Sequence, residues 1–460
     1  MSELPVGWAE ARIGDLADLN PKQAFDDETV AGFAPMSHAP TNFRDKLRFD
    51  ERPWGEIKKA YTNFKDGDVI FAKVTPCFEN GKAAYVEGLP NGIGAGSSEF
   101  FVLRPSCDEV SAKYLLALVK SRDFLRGGAE NMTGAVGLRR VPKQFVENYS
   151  VPVPPAAEQT RIAAKLDELL AQVDTLKARI DGIPALLKRF RQSVLAAAVS
   201  GRLTEEWRKS DEYIDTDSQL RIPNSWQLLT VGDLAEVKGG KRLPKGEELT
   251  PVDTGYPYIR AGQLKEGTVS KEGQLFVQRH VHLQISRYTV NSGDVYITIV
   301  GACIGDAGVI PQRCNGFNLT ENAAKICNFK SSLNSDYLAA WLRSQYLQDL
   351  IRHEIKSGAQ GKLALKRIKE LPVPYPSFEE QNAIVRRVEQ LFAFADQLEA
   401  KVASAKSRID YLTQSILAKA FHGELVPQDP NDEPASLLLE RIKAQRAAAP
   451  KAKRGRKASA

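Results

Sequence analysis

Few residues in this chain have the types and spacing that catalysis needs. His280 and His282 lie two apart on a possible strand, which would put both imidazoles on one face. No carboxylate or thiol accompanies them at metal-ligand spacing, so they read as surface residues. The five histidines (His38, His280, His282, His353 and His422) make no H-E-x-x-H or related pattern, and no metal site is expected. Glu56–Lys58 and Glu354–Lys356 are E-x-K triplets of the kind found at nuclease carboxylate sites. With 26% of residues charged, such triplets arise by chance. GGKR at 239–242 has the wrong spacing for a phosphate loop, and no G-x-G-x-x-G follows a strand into a helix. Asn20-Pro21-Lys22 is the nearest string to the methyl-transfer tetrad N-P-P-[YF], which is absent. Catalytic, cofactor-binding and metal-ligating residues are therefore expected to be none.

What remains is binding. GAVGLRRVPK supplies Arg139, Arg140 and Lys143, and GAQGKLALKRIK supplies Lys362, Lys366, Arg367 and Lys369, each set just after a pair of glycines. A glycine-flanked turn that exposes backbone amides, followed by cations, can grip phosphate. The same residues could equally form a framework turn with solvated charges.

Bulk charge does not choose between these. The net charge is +6, but KAKRGRK near the C-terminus holds Lys451, Lys453, Arg454, Arg456 and Lys457; without those five, 58 basic side chains face 57 acidic ones. An anion-binding surface must come from clustering. The five cysteines form no C-x-x-C pair and are odd in number, which favours reduced thiols in the cytoplasm over a disulfide or zinc framework. No run of eighteen apolar residues exists and MSELPVGWAEARIG lacks a secretory pattern, so a cytoplasmic location and no membrane partner are expected.

The elements that would position a site occur twice. At 460 residues the chain is too long for one core. Residues 151–203 and 373–425 match at an unbroken offset of 222, with Val151, Pro152, Pro154, Glu158, Gln159, Ile162, Asp174, Leu176, Gln192, Ser193, Leu195 and Gly201 recurring unchanged. Weaker echoes pair Trp8 with Trp226, GDVIFAKV (67–74) with GDVYITIV (293–300), and KYLLALVKS (113–121) with DYLAAWLRS (336–344). Between them the offset drifts from 218 to 226, which marks a shared framework with variable inserts. Each half reads as short β-branched or aromatic strands bounded by Gly, Asn and Pro, with one helix around 111–125 and again around 334–350.

A long helix closes each half. Apolar residues recur at alternating gaps of four and three at Ile162, Leu166, Leu169, Val173, Leu176, Ile180, Ile183, Leu187, Phe190 and Val194. The same phase recurs at Ile384, Val388, Leu391, Ala395, Leu398, Val402, Ala405, Ile409, Leu412 and Ile416. A 3.5-residue period predicts a seam buried against another helix. Each helix of about 40 residues spans about 60 Å. A parallel pair would require the linker near 201–222 to stretch back over most of that length, so the pair is expected to be antiparallel. Gly182 and Pro184 predict a kink in the first helix. Beyond Gly423 one short amphipathic helix is expected from about 434, and the basic end is expected to be disordered.

P-P-x-x-E-Q before a heptad helix, closed by QSVLAAAVSGRLTEEW and QSILAKAFHGEL, resembles the specificity subunit of type I restriction–modification systems. SLLLERIKAQRAA, LAQVDTLKARI and LKRFRQ strengthen the likeness to the K-type branch (family A). The likeness covers about a third of the chain. It implies an α+β fold in which two mixed α/β target recognition domains are joined by two long helices as an antiparallel coiled coil, an internal pseudo-two-fold repeat. The expected boundaries are 1–155 and 223–377 for the recognition domains, 156–201 and 378–423 for the helices, 202–222 for the linker and 424–460 for the tail. The resemblance also implies a noncatalytic subunit that binds a gapped double-stranded DNA target, one half-site per domain, and docks two methyltransferase subunits and restriction subunits. S-adenosylmethionine, ATP and magnesium would belong to those partners. The alternative from another class is a coiled-coil scaffold presenting two protein-binding domains. A nuclease or methyltransferase with unrecognised motifs is the third.

Overall fold

The computed structural model describes residues 4–135, 137–209, 212–216, 220–330, 332–357 and 361–448, with the side chains of 354, 356 and 357 excepted. Gly358 and Ala359, the Glu354 and Lys356 side chains and the basic end at 451–457 lie outside the described residues. The chain forms two compact units, one within 1–181 and 403–460 and the other within 182–402.

The first unit is built on a four-stranded antiparallel sheet in the order Ala17–Leu19, Phe100–Pro105, Val69–Ala72, Ala83–Tyr85. All four side chains of Val69–Ala72 are buried, because both faces of this strand are covered. Strand alternation divides them. Val69, Phe71, Phe101 and Leu103 join a core with Tyr114, Leu115 and Leu118 of the helix Ala112–Val119. Ile70, Phe100 and Val102 join Phe64 of a second sheet. Burying each of these large side chains contributes about 1.5–3 kcal/mol. The second sheet runs Asp50–Pro53, Val30–Ala34, Ile93–Gly96, Thr62–Lys65, and its middle pair is parallel.

The second unit repeats this plan. Its main sheet runs Glu236–Gly239, Ala323–Cys327, Val295–Thr298, Ala307–Val309. Val295, Ile297, Ala324 and Ile326 face the helical core, while Tyr296 and Ala323 face Ile259 and Leu319 of the smaller sheet. Pro257–Ile259 and Asn318–Leu319 again pair in parallel. In both units a two-stranded ladder frames the start and end, Ala9–Arg12 with Ser150–Val153 and Gln227–Thr230 with Pro372–Tyr375.

Two expectations about the helices inside the units change. The single helix near 111–125 is two, Ala112–Val119 and Arg122–Glu130, because the Ser121 hydroxyl accepts from the Phe124 amide and caps a new start. Likewise Ser335–Leu342 and Gln345–Ser357 are separate, with Leu347 N–H donating to the Ser344 hydroxyl. His280 and His282 lie on the helix Arg279–Ile285, not on a strand. Its inward residues Val281 and Ile285 are four apart, and the two imidazoles therefore diverge.

The long helices span Ala156–Val199 and Phe378–Phe421. Within the first unit Asp181 pairs with Lys406 at 2.6 Å, while Leu170 lines the same cavity as Leu417. Within the second, Arg191 binds Asp396 at 2.5 Å and Glu399 at 2.9 Å, and Thr204 beyond the helix end meets Glu380 at 2.8 Å. Residue numbers rise on one helix as they fall on the other, so the pair is antiparallel. The first helix runs unbroken through Pro184, although proline interrupts a helical hydrogen bond at a cost of about 3 kcal/mol. Asp181 and Arg191, each ion-paired to a residue of the second long helix, flank the proline.

Along the periodic positions, Ile162, Leu166, Val173, Leu187, Val194, Ile384, Val388, Ala395, Ile409 and Ile416 are buried. Leu169, Ile180, Ile183, Phe190, Leu391, Leu398, Val402 and Ala405 are half-buried. Leu176 and Leu412 are each 44% exposed, which removes them from the expected seam. Leu170 and Leu417 are buried in the first unit's core although both lie off the 3.5-residue period. The reason is that the helices pack on the domain cores as well as on each other. Burial at Ile162, Leu166, Leu170 and Val173 consequently follows the straight-helix spacing.

Gly201 and Gly423 end the two helical blocks with φ of +74° and +71°. A Cβ there would come within 2.3 Å of Pro223 and 2.5 Å of Pro5, respectively. Both the left-handed turn and the close approach require glycine. After Gly423 the helix Ala435–Ala448 buries Leu438, Leu439 and Ile442 in the first unit's core.

Candidate nucleic-acid interface

The glutamate and glutamine shared by the two helical blocks fix each helix to its domain. In the first unit the Trp8 indole donates to Glu158 at 3.0 Å and the Ser111 amide donates to the Gln159 carboxamide at 3.0 Å. Gln159 in turn donates to the Pro154 carbonyl at 3.0 Å, and the Tyr114 hydroxyl donates to the Pro152 carbonyl at 2.7 Å. The second unit repeats all four bonds: Trp226 to Glu380 at 2.9 Å, the Asn334 amide to Gln381 at 2.8 Å, Gln381 to Pro376 at 3.0 Å, and Tyr337 to Pro374 at 2.7 Å. Desolvation pushes both tyrosine hydroxyls well above their usual range, so they stay protonated donors. The effect is to set the loops of each domain at a fixed angle to its helix.

The carboxylates differ in one respect. Glu380 Oε1 accepts from Thr204 at 2.8 Å and from Arg208 at 2.7 Å, a buried ion pair reached from the linker. Glu158 Oε1 is buried with no hydrogen-bond partner among the described residues. Burial raises the Glu158 pKa, opposed by the Trp8 bond and the Arg161 charge. Arg161 itself pairs with Asp432 at 2.6 Å, which ties the C-terminal segment to the helix.

The candidate cations take up several different roles. Arg139 and Arg140 lie on a hairpin, Thr133–Ala135 with Leu138–Arg140, resting on the loop after Ala72 through Thr75 N–H to Arg139 carbonyl (3.0 Å) and Val141 N–H to Lys73 carbonyl (2.8 Å). Arg140 is a brace: it grips Glu99 with Nε at 2.9 Å and Nη2 at 2.7 Å, which lowers the Glu99 pKa. Arg139 is half-exposed, 3.6 Å from Glu79. Lys143 pairs with Glu147 at 2.9 Å one helical turn away. In the second unit Lys366 and Arg367 both face Glu370, at 3.9 and 3.2 Å, while Lys362 and Lys369 are exposed. The first unit thus brings Arg139, Arg140 and Leu138, which is 53% exposed, onto one projecting ribbon. Lys143, Lys366 and Arg367 have mainly local helical partners.

The groups considered for catalysis have other roles. His280 bonds Glu247 at 2.8 Å, and His282 bonds the buried Asn318 at 2.8 Å while stacking on Tyr256. Lys58 of the first E-x-K triplet is ion-paired with Asp27. Among the described residues no three His, Cys, Asp or Glu side chains gather as a metal site, and no helix is long and apolar enough to cross a membrane. All five cysteines are free thiols.

A family model described as the type I restriction modification DNA specificity domain matches the chain twice, over residues 5–185 and 223–405. The chain belongs to this DNA specificity family. Its two family domains coincide with the two copies of the framework. Among curated relatives, the EcoKI specificity subunit of Escherichia coli K12 is 32% identical over 99% of both chains. The EcoBI specificity subunit of Escherichia coli is 38% identical over 71% of this chain and 70% of its own. In fold the chain is similar to the HsdS subunit from Thermoanaerobacter tengcongensis (TM-score 0.61, 21% identity, 92% and 98% coverage). It is also similar to a chain from a structure on assembly and conformational transition of a type I restriction–modification system (TM-score 0.68, 19% identity, 92% and 100% coverage). DNA sequence specificity within a restriction–modification complex is the role this family supplies.

Trp8 aligns with Trp226 and Glu158 with Glu380 as repeats, but the bond from each tryptophan to its own glutamate carries no signal in the sequence. Arg208 left no signal, since the offset of 222 places Pro430 opposite it.

Proposed function

We propose that this specificity subunit is noncatalytic and that each unit reads one half of a gapped double-stranded DNA target. The observation that carries this is the repetition of the Trp–Glu, Gln and Tyr anchors on one strand plan, while the inserts differ. Two frames of one kind would hold two sets of loops at the same attitude to their helices, and different inserts would read different bases. The first helix contributes its residues 156–181 to one unit and 182–199 to the other, which supports its role as the element that sets the gap.

On this reading two methyltransferase subunits dock on the helices, and restriction subunits join that core. Exposed apolar side chains fit such docking: Tyr411 and Leu412 in the first unit, Leu186 and Phe394 in the second. S-adenosylmethionine, ATP and magnesium would be held by the partners, and the complex would act in the cytoplasm. DNA protection by the chain assembled with its methyltransferase tests the proposal. Two short protected blocks flanking an unprotected gap are expected; protection without sequence preference would favour a scaffold for other proteins, a reading consistent with the ion-paired Arg140.

A further inference from the structure

We propose that Lys241 and Arg287, converging on Tyr288, form a grip for a DNA phosphate on the second unit. The proposal rests on the DNA-reading role above and deepens it by naming a backbone contact. Lys241 Nζ lies 5.6 Å and Arg287 Cζ 5.9 Å from the centroid of the Tyr288 ring. Both cations are exposed, and among the described residues neither has a carboxylate within ion-pairing distance. Arg242, the next residue after Lys241, is by contrast paired with Glu321 at 2.8 Å.

The backbone holds these two cations in place. A Cβ on Gly240 would fall 2.0 Å from the Thr320 carbonyl, so the chain passes tightly over that segment before presenting Lys241. Lys241 N–H then donates to the Leu319 carbonyl at 2.9 Å, and its own carbonyl accepts from the Tyr258 hydroxyl at 2.8 Å. On the other side, buried Asn318 donates to the Ile285 carbonyl at 3.1 Å and Val290 N–H to the Phe317 carbonyl at 2.9 Å, which fixes the Ser286–Tyr288 turn. Adjacent residues of one strand, Asn318 and Leu319, thereby hold both halves of the pair. Two like charges brought to one ring with no acid between them attract an anion, and the Tyr288 hydroxyl can donate to it. A phosphodiester fits this chemistry, and such contacts fix register without reading sequence.

The test compares the wild-type complex with its methyltransferase and the K241A/R287A complex on target DNA and on an unrelated duplex, across about 50–200 mM salt. The double variant is expected to bind both DNAs more weakly, on the order of tenfold at ~0.1 M salt, with a log–log salt slope shallower by about 1. Preference between the duplexes stays unchanged, and K241R/R287K restores the slope. An unchanged slope, or a lost preference with the slope intact, overturns the grip. A wild-type complex that prefers no sequence while the variant still loses slope overturns the half-site reading and leaves the grip standing.

Discussion

The Trp8 indole donates to the Glu158 carboxylate across 150 residues of chain, at 3.0 Å. Its counterpart in the second unit joins Trp226 to Glu380. Only Glu380 is also hydrogen-bonded to an arginine, Arg208, so two matched positions carry different electrostatics.

That difference predicts opposite responses to amidation. The folded pKa of Glu158 is raised, so ionisation favours the unfolded chain. Stability from this group is greatest below the ordinary carboxylate range and falls as pH rises from there through the raised folded value. Glu158→Gln keeps an acceptor for Trp8 and should flatten that portion of the stability–pH curve, which begins at the ordinary carboxylate range of about pH 4. Glu380→Gln should instead destabilise by about 3 kcal/mol, because Arg208 is left buried without its counter-charge. Denaturant unfolding at several pH values separates the two; equal effects would contradict the asymmetry.

The long helices should be sensitive where they meet the domains and tolerant where the heptad pattern alone indicated burial. Leu166→Ala and Ile384→Ala, both at fully buried positions, should each cost about 2–5 kcal/mol. Leu176→Ser and Leu412→Ser should stay within about 0.5 kcal/mol for the chain alone. Thermal unfolding of the four variants would show the split.

Arg140 and Glu99 should behave as one device. Arg140→Ala and Glu99→Ala are each expected to speed amide exchange in the described part of the 133–140 hairpin, and the double variant should add little to either. Additive effects would mean that Arg140 acts elsewhere.

Much of the frame was legible in the sequence, because a repeated segment exposes the residues that both copies need. The paired tryptophans, the E-Q dipeptide, and Gly201 with Gly423 all proved to be anchors or turns. Periodicity gave the helices and the length of the linker their direction, but periodicity could not distinguish Leu169 from Leu170, since burial there depends on which domain surface the helix meets. The site was far less legible. Arg140 looks like Arg139 in sequence, and only the fold reveals that Glu99 holds one of them tightly. Lys241 and Arg287 are separated by inserts with no shared pattern, and strand Asn318–Leu319 brings their segments together.

The account turns on each unit reading its own half-site. Replacing residues 1–150 with the equivalent segment of a relative, then mapping methylated bases in DNA modified by the complex, tests this most directly. One half of the target should change while the other half and the gap persist. A change in both halves, or in neither, would contradict it.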